Sequence, residues 1–193
     1  MKMVMRIHPV RESEASSAIL PPRSGTSIAF EQAWSAIHKD GLVPDKAELR
    51  PERFAPFLRT AYLVELHDEP ERRILFRIAG ETIRNALGVD LRGRNYIDFV
   101  PEPHRETSGI SMNLMFAPRP CGRWVRKEVV HRDGFRQILD LTQFPVSDRA
   151  SGHRLVIGIV EGFGEDSVHT PDGGFRFDQL DREHFIDIGA GLP

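Results

Sequence analysis

The sequence is poor in cysteine, since Cys121 is the only one in 193 residues. An internal disulfide and a cysteine-based metal cluster are therefore excluded, and a reducing compartment is expected. Also missing is an apolar run of about 18 residues, the length that a membrane-spanning helix needs. The N-terminal apolar stretch meets a charge at Arg6, before it reaches the length of a signal peptide. These absences predict a cytoplasmic protein that does not associate with a membrane.

An excess of charge of either sign is missing as well. The 26 basic and 28 acidic residues give a net charge of −2, so no overall positive field would attract nucleic acid. Only four of the basic residues are lysines. The forked donors of arginine suit an anionic ligand or partner, although a solvated strand face is the more common place for such residues. We therefore expect no nucleic-acid partner.

The N-terminal part divides into a flexible leader over residues 1–26, rich in serine, proline and charge, and a helix with its connector over residues 27–60. The helix is predicted from an N-cap at Ser27 to Lys39. Phe30, Trp34 and Ile37 fall on one face of it, and such an apolar stripe must be buried on its own domain or on a second copy of the chain. We predict that this stripe forms a homodimer interface.

Residues 61–164 are predicted to form a succession of short strands and short helices. Turn signals separate the elements, and the Asp-Gly pair at 133–134 predicts a hairpin. Together they predict an α+β domain with one antiparallel sheet and helices on one face. The tail, residues 165–193, is weakly amphipathic, and three options stay open for it: docking on the body, docking on a partner, or a loose segment. The predicted elements are strands at 61–67, 72–80 and 154–162, two strands around 132–134, and helices at 81–87, 96–100 and 102–116.

Four local patterns resemble one known family. They are Trp34 in the leading helix, the connector GLVPDKAELRPERFAPFL, the segment FRIAGETI, and the segment LGVDLRGRNYIDFV. From about Trp34 to Gly164 the chain resembles a PAS domain, and in particular the small stand-alone PAS-like proteins of alphaproteobacteria. The resemblance implies a five-stranded antiparallel sheet in the order 2-1-5-4-3, with helices that enclose a small cavity. It also implies a sensory or interaction role, often in a dimer.

The resemblance also implies where a cofactor would be attached. In flavin-binding relatives a reactive cysteine stands where this chain has Tyr96, and in the coumaroyl-binding photoreceptors it stands near Pro103. In haem-binding relatives the axial histidine falls at Ser108, and His104, one helical turn earlier, would point about 40° away. All three attachment residues differ here, so we expect no flavin, coumaroyl or haem cofactor.

A ligand, if one binds, is then expected in an apolar cavity with few polar groups. The same residues could equally fill a solid core, and both interpretations stay open. The residues expected to line the cavity are Phe76, Ile78, Ile83, Leu87, Tyr96, Phe99, Met112, Phe116, Trp124 and Leu139.

Catalytic and metal sites are not expected. The closest histidine–carboxylate clusters are His67-Asp68-Glu69, His131-x-Asp133 and Glu183-His184, and none has the repeated spacing of a zinc site. Cys121 lies near two arginines that would lower a thiol pKa, but it has no histidine nearby in sequence.

We therefore predict a non-enzymatic sensory or signal-relay module that binds a small molecule or a partner protein. Because no output domain is evident in the sequence, the partner would be a separate signalling protein. The alternative function is an interaction adaptor with a filled core and no physiological ligand.

Overall fold

The computed structural model describes residues 23–67, 73–163 and 174–193. No helix within these ranges has the length and hydrophobicity that would let it cross a membrane. The elements are, in chain order, α1 (Gly25–Ser35), the 3₁₀ helices Lys46–Glu48 and Pro51–Phe57, β1 (Ala61–His67), β2 (Arg73–Ala79), α2 (Glu81–Leu87), the 3₁₀ helix Tyr96–Phe99, α3 (Glu102–Asn113), β3 (Cys121–His131), β4 (Arg136–Asp148), β5 (His153–Glu161) and β6 (Phe175–Asp187).

The strands form one antiparallel sheet in the order β2-β1-β5-β4-β3-β6. The first five strands have the order 2-1-5-4-3 that the resemblance implied, which confirms the α+β fold. The sixth strand was not predicted, because its residues were assigned to the tail. It pairs with β3 from Cys121↔Asp187 to His131↔Phe175. The sheet therefore continues past the expected domain boundary at residue 164.

The inner face of the sheet is covered by α2, the 3₁₀ helix Tyr96–Phe99 and α3, which makes a cup. Side chains of a strand alternate between the two faces, and in β1 this places Tyr62, Val64 and Leu66 inside the cup. These three belong to a continuous apolar cluster with buried residues of the covering helices, among them Leu87 and Met112. The cup is the largest part of the core.

Helix α1, the N-terminal helix that was predicted in addition to the PAS-like domain, packs on the opposite, outer face of the sheet. The stripe that we expected at a dimer interface is buried there within the chain: Phe30, Trp34 and Ile37 are 0%, 2% and 4% exposed. Trp34 stacks on Phe144 of β4 at 4.8 Å between ring centroids, and its Nε1 donates to the Pro145 carbonyl at 3.1 Å. The prediction of a homodimer through this stripe is corrected, because it has no surface left for a second copy.

The start of α1 also differs from the prediction. Ser24 caps the helix by accepting a hydrogen bond from the Ser27 amide at 2.9 Å, whereas Ser27 is buried with its hydroxyl 2.6 Å from that of Thr142. The predicted leader thus ends by Ser24, and its residues 1–22 lie outside the described ranges. Helices α1 and α3 end earlier than predicted, at Ser35 and Asn113.

The glycine-rich turn before α3 is fastened to the edge strand β2. Gly93 has a φ of 75°, in the left-handed region that glycine favours, and its amide donates to the Phe76 carbonyl at 2.8 Å. The Phe76 amide donates to the Arg94 carbonyl at 3.0 Å, and the Asn95 side chain accepts from the Ile74 amide at 3.0 Å. This turn, residues 93–95, therefore holds the 3₁₀ helix Tyr96–Phe99 in place over the cup.

Candidate ligand-binding site

A central cavity lies inside the cup, between the inner face of the sheet and the covering helices. Its volume is about 30 Å³, which is room for about one water molecule. Most of its wall is apolar and comes from β1, β2, β4, α2 and α3. The polar groups on the wall are Tyr62, Tyr96, Arg123, Lys127 and Gln143.

Six of the ten residues that we expected around a cavity do line this one: Phe76, Ile83, Leu87, Tyr96, Met112 and Leu139. Phe99 and Phe116 are partly buried and pack against the surrounding core without reaching the cavity. Phe99 instead stacks on Phe175 of β6 with 4.5 Å between ring centroids. Whether the six lining residues bind a ligand remains a prediction.

The other two residues lie away from the cavity, Ile78 because of a β-bulge and Trp124 because of strand alternation. A bulge in the β1–β2 pairing makes Val64 face Phe76 and Leu63 face Ile78, so Ile78 turns to the outer side and is 55% exposed. Trp124 stands between Arg123 and Val125, which both face the cup, and stacks on His184 of β6 on the outer side.

A chain of buried polar side chains crosses the cup. Arg123, which is 2% exposed, donates from Nη1 to Gln143 Oε1 at 2.8 Å. The Gln143 amide in turn donates to the Tyr62 hydroxyl at 2.6 Å. Burial of the Tyr62 phenol raises its pKa well above the ordinary value, so it is neutral and can act as donor or acceptor.

This series of hydrogen-bonded side chains ends in an ion pair at the rim of the cup. Arg123 Nε donates to Glu183 of β6, and the Ser111 hydroxyl of α3 donates to the same carboxylate. Burial alone would raise the pKa of Glu183, but the charge of Arg123 and these two hydrogen bonds outweigh it and lower the pKa below its usual value. Glu183 is therefore ionised at neutral pH and balances the arginine.

Lys127 is the second buried cation of the cup and is 5% exposed. Its ammonium group donates to the Tyr96 hydroxyl. The nitrogen also lies 5.0 Å from the centroid of the Tyr96 ring and 5.4 Å from that of Phe177, distances at which a cation is attracted to an aromatic face. Among the described residues, its one hydrogen bond leaves two of its three N–H donors available.

A second cavity of about 180 Å³, six times the volume of the first, lies beside it under α3. Arg123, Lys127 and Phe177 belong to the walls of both cavities. The rest of its wall comes from Val100, which follows the 3₁₀ helix Tyr96–Phe99, and from residues of α3 and β6 that carry polar side chains. These polar residues are His104, Thr107, Ser108, Ser111 and Asp178. The two cations thus stand between an apolar space and a polar one.

Arg123 and Lys127 were not predicted as site residues, because strand arginines were expected on a solvated face and Lys127 was not considered. The period-two pattern of β3 contains the signal. Val125 and Val129 are apolar and inward-facing, and residues two positions from Val125 must share its face. Extending that alternation to residues 123 and 127 would have placed both cations inside the cup.

The residues at the three cofactor-attachment positions all lie within the described part of the chain. Tyr96 lines the central cavity, Ser108 and His104 line the second cavity, and Pro103 is in α3. Cys121 lines neither, and its thiol is 3.6 Å from the Leu114 carbonyl. Burial raises the pKa of that thiol to about 11, so it is protonated and unreactive at neutral pH.

Of the sequence clusters considered for metal binding, Glu183-His184 is divided between the two faces of the sheet. Glu183 is engaged with Arg123, while the neighbouring His184 faces the other way and stacks on Trp124. Asp68 and Glu69 lie outside the described residues. His67, however, lies close to Glu65 and His153 on the outer face of the sheet.

Comparisons with known proteins identify the family to which this chain belongs. A family model described as a PAS domain matches residues 23–159, which is more than half of the chain. A solved structure of a fungal LOV domain photoreceptor is similar, with 18% identity over 53% of this chain and 74% of that chain, and a TM-score of 0.35. A comparison with curated proteins finds no match. The family match covers α1 and nearly all of the five central strands, and the chain therefore belongs to the PAS domain family.

Proposed function

We propose that this protein is a sensory PAS module whose cup binds a small molecule with an apolar body and an anionic group. The observation that carries the proposal is the position of Arg123 and Lys127 on the wall that both cavities share. A buried cation is costly without a compensating partner. Glu183 is the ion-pair partner of Arg123 and also interacts with the charge of Lys127, whereas the hydrogen bond of Lys127 goes to the Tyr96 hydroxyl. Asp178 on the wall of the second cavity pairs with Arg136, so a ligand carboxylate there would give Lys127 a direct ion-pair partner of its own.

The proposed output is a signal and not a chemical reaction. Ligand binding would act on β3, since both cations belong to it, and thereby on β4 and β6, which pair with it. In this proposal the module is non-enzymatic and cytoplasmic and passes the change to a separate signalling protein. A homodimer would have to use a surface other than the buried stripe of α1.

A second candidate function is an interaction adaptor without a physiological ligand. The small volume of the central cavity favours it, because about 30 Å³ holds no organic molecule unless side chains move. The second cavity is large enough for a small carboxylate head, so the two candidates differ in whether that space is used.

Benzoate and benzyl alcohol are suitable probes because they share a ring and differ in charge. We expect benzoate, and not benzyl alcohol, to raise the unfolding temperature of the full chain. At ten times its Kd a ligand stabilises the folded state by about 1.4 kcal/mol. Lys127→Met, which keeps a long unbranched side chain but removes the charge, should abolish the difference between the probes.

The matched control is Lys46→Met, because Lys46 pairs with Asp148 at 3.0 Å outside the cup. This variant should respond to benzoate as the wild type does. Native mass spectrometry of the protein as purified provides a second measurement, since a co-purified organic acid would appear as added mass that is lost in Lys127→Met. If neither probe stabilises the protein and no added mass appears, the adaptor function is the better explanation.

A further inference from the structure

A group of three potential metal ligands lies on the outer face of the sheet, opposite the cup. Glu65 and His67 are two residues apart on β1, so their side chains share a face. The β1–β5 register pairs Leu66 with Arg154, which brings His153, at the start of β5, next to His67. The donor atoms of the three side chains all lie within 4.8 Å of one another.

We propose that Glu65, His67 and His153 bind a divalent transition-metal ion, Zn²⁺ or one of similar preference. Two imidazole nitrogens and one carboxylate oxygen are the donor set of several three-ligand zinc sites, in which the fourth position holds water. The donors here are Glu65 Oε1, His67 Nε2 and His153 Nδ1. The Glu65 oxygen is 2.7 Å from the first nitrogen and 3.0 Å from the second.

The burial of the group fits a metal better than a cluster of surface charges. Glu65 is only 5% exposed, which is unusual for a carboxylate that lies on the outer face of a sheet. His67 Nε2 is buried and has no hydrogen-bond partner among the described residues, although it faces the Glu65 oxygen. A metal ion between them would satisfy this nitrogen and compensate the carboxylate together.

Arg77 holds the carboxylate oxygen of Glu65 that faces away from the two histidines. Arg77 of β2 lies with its Nε 3.1 Å from Glu65 Oε2, so the other oxygen, Oε1, is the one directed at the two histidines. Such a contact to the outer oxygen orients a ligating carboxylate. The solvent side is open for the ion to enter and for a water ligand, because the His153 side chain is 43% exposed.

The side chains must move slightly to take up the ion. With metal–ligand bonds of about 2.0–2.2 Å, tetrahedral donors stand about 3.3 Å apart. The two carboxylate–imidazole separations are shorter than this by a few tenths of an ångström, while the two nitrogens must come within the same distance. Rotations of the partly exposed histidines are sufficient for both adjustments.

The proposal can be tested with Co²⁺ and Zn²⁺ on the full chain after removal of any affinity tag. Co²⁺ absorption distinguishes a four-coordinate ion from the six-coordinate ion in water. We expect one ion per chain with the four-coordinate spectrum, displacement by Zn²⁺, and a loss of affinity of at least about tenfold in His67→Gln and in His153→Gln. His38→Gln removes an exposed histidine outside the group and should bind as the wild type does.

His153→Gln is the decisive variant because its side chain is partly exposed, so the protein should still fold, which far-ultraviolet circular dichroism verifies. A Zn²⁺-dependent rise in the unfolding temperature that disappears in this variant would support a site that joins β1 to β5. The absence of one-to-one binding would overturn the proposal. So would equal affinity in His153→Gln and His38→Gln, since the ion would then bind elsewhere.

Discussion

Replacement of Arg123 by methionine tests whether the polar chain inside the cup holds β3, β4 and β6 together. Arg123→Met keeps much of the side-chain volume but removes the hydrogen bonds to Gln143 and Glu183. It leaves a buried amide oxygen without its donor, which costs about 1–3 kcal/mol. It also breaks a buried ion pair, for which losses of about 3–5 kcal/mol are typical.

The magnitude follows from how far each group is buried. The Glu183 side chain is 22% exposed, so water can replace part of what it loses, and the lower end of each range applies. We expect the free energy of unfolding to fall by about 4 kcal/mol, which for a chain of this size is roughly 8–16 °C in Tm. Urea unfolding followed by far-ultraviolet circular dichroism measures the first quantity, and calorimetry the second.

The chain offers a matched control three residues away. Arg126 is also on β3 and makes two hydrogen bonds to Asp140, at 2.7 and 2.8 Å, but both side chains are more than a quarter exposed. Exposed pairs contribute about 0–1 kcal/mol. Arg126→Met should therefore cost less than about 1 kcal/mol, and equal losses in the two variants would refute the reasoning.

The pH dependence provides a second check. The folded-state pKa of Glu183 is below its ordinary value of 4.5, so its contribution to stability is present above pH 4.5 and is lost as pH falls through the folded pKa. In Arg123→Met, burial would dominate and the pKa would rise, so the variant recovers stability on acidification. The difference between wild type and variant should begin to narrow above pH 4.5, where the variant carboxylate gains its proton, and should narrow further below pH 4.5 as the wild type loses its ion pair. A constant difference would contradict this assignment.

Three further predictions concern other parts of the fold. Gly80→Ala should destabilise by more than about 2 kcal/mol in urea unfolding, because the added Cβ would lie 2.3 Å from the Arg59 carbonyl oxygen, whereas Gly25→Ala meets open space and should not destabilise. Trp34→Ala should cost about 3–5 kcal/mol without changing the oligomeric state that native mass spectrometry reports, and dissociation of a dimer would contradict its intramolecular packing. Cys121 should react with a thiol reagent at pH 7 only at the rate of unfolding, since its pKa is about 11, and rapid labelling of the folded protein would disprove its burial.

The central sheet was predictable because its signals are local. The strand β1 matches its predicted residues, 61–67, and α2 matches residues 81–87, since a turn signal in the sequence follows the first and Gly88 ends the second. The strand β6 was not predictable in the same way. Its sequence alternates poorly, and its pairing with β3 bridges more than 40 residues of chain, a long-range interaction that no local pattern encodes.

For the candidate sites too, the residues marked by local patterns were predictable and the residues brought together by long-range pairing were not. The apolar wall of the cup followed from hydrophobic pattern, and six residues were placed correctly. The cations were missed because charge was taken as a sign of exposure, although a cation two positions from an inward valine has to share its face. The group of Glu65, His67 and His153 depends on strand register, which brings together residues separated by almost 90 positions.

The hydrogen bonds between β2 and residues 93–95 determine at which edge of the sheet another protein could add a strand. Three backbone groups on the free side of β2 are already bonded to this turn or to Asn95, so a peptide strand would find few groups to pair with there. The strand order places β6 at the opposite end. A partner that recognises this protein by strand addition would therefore dock along β6, where it would lie directly beside the strand that supplies Glu183.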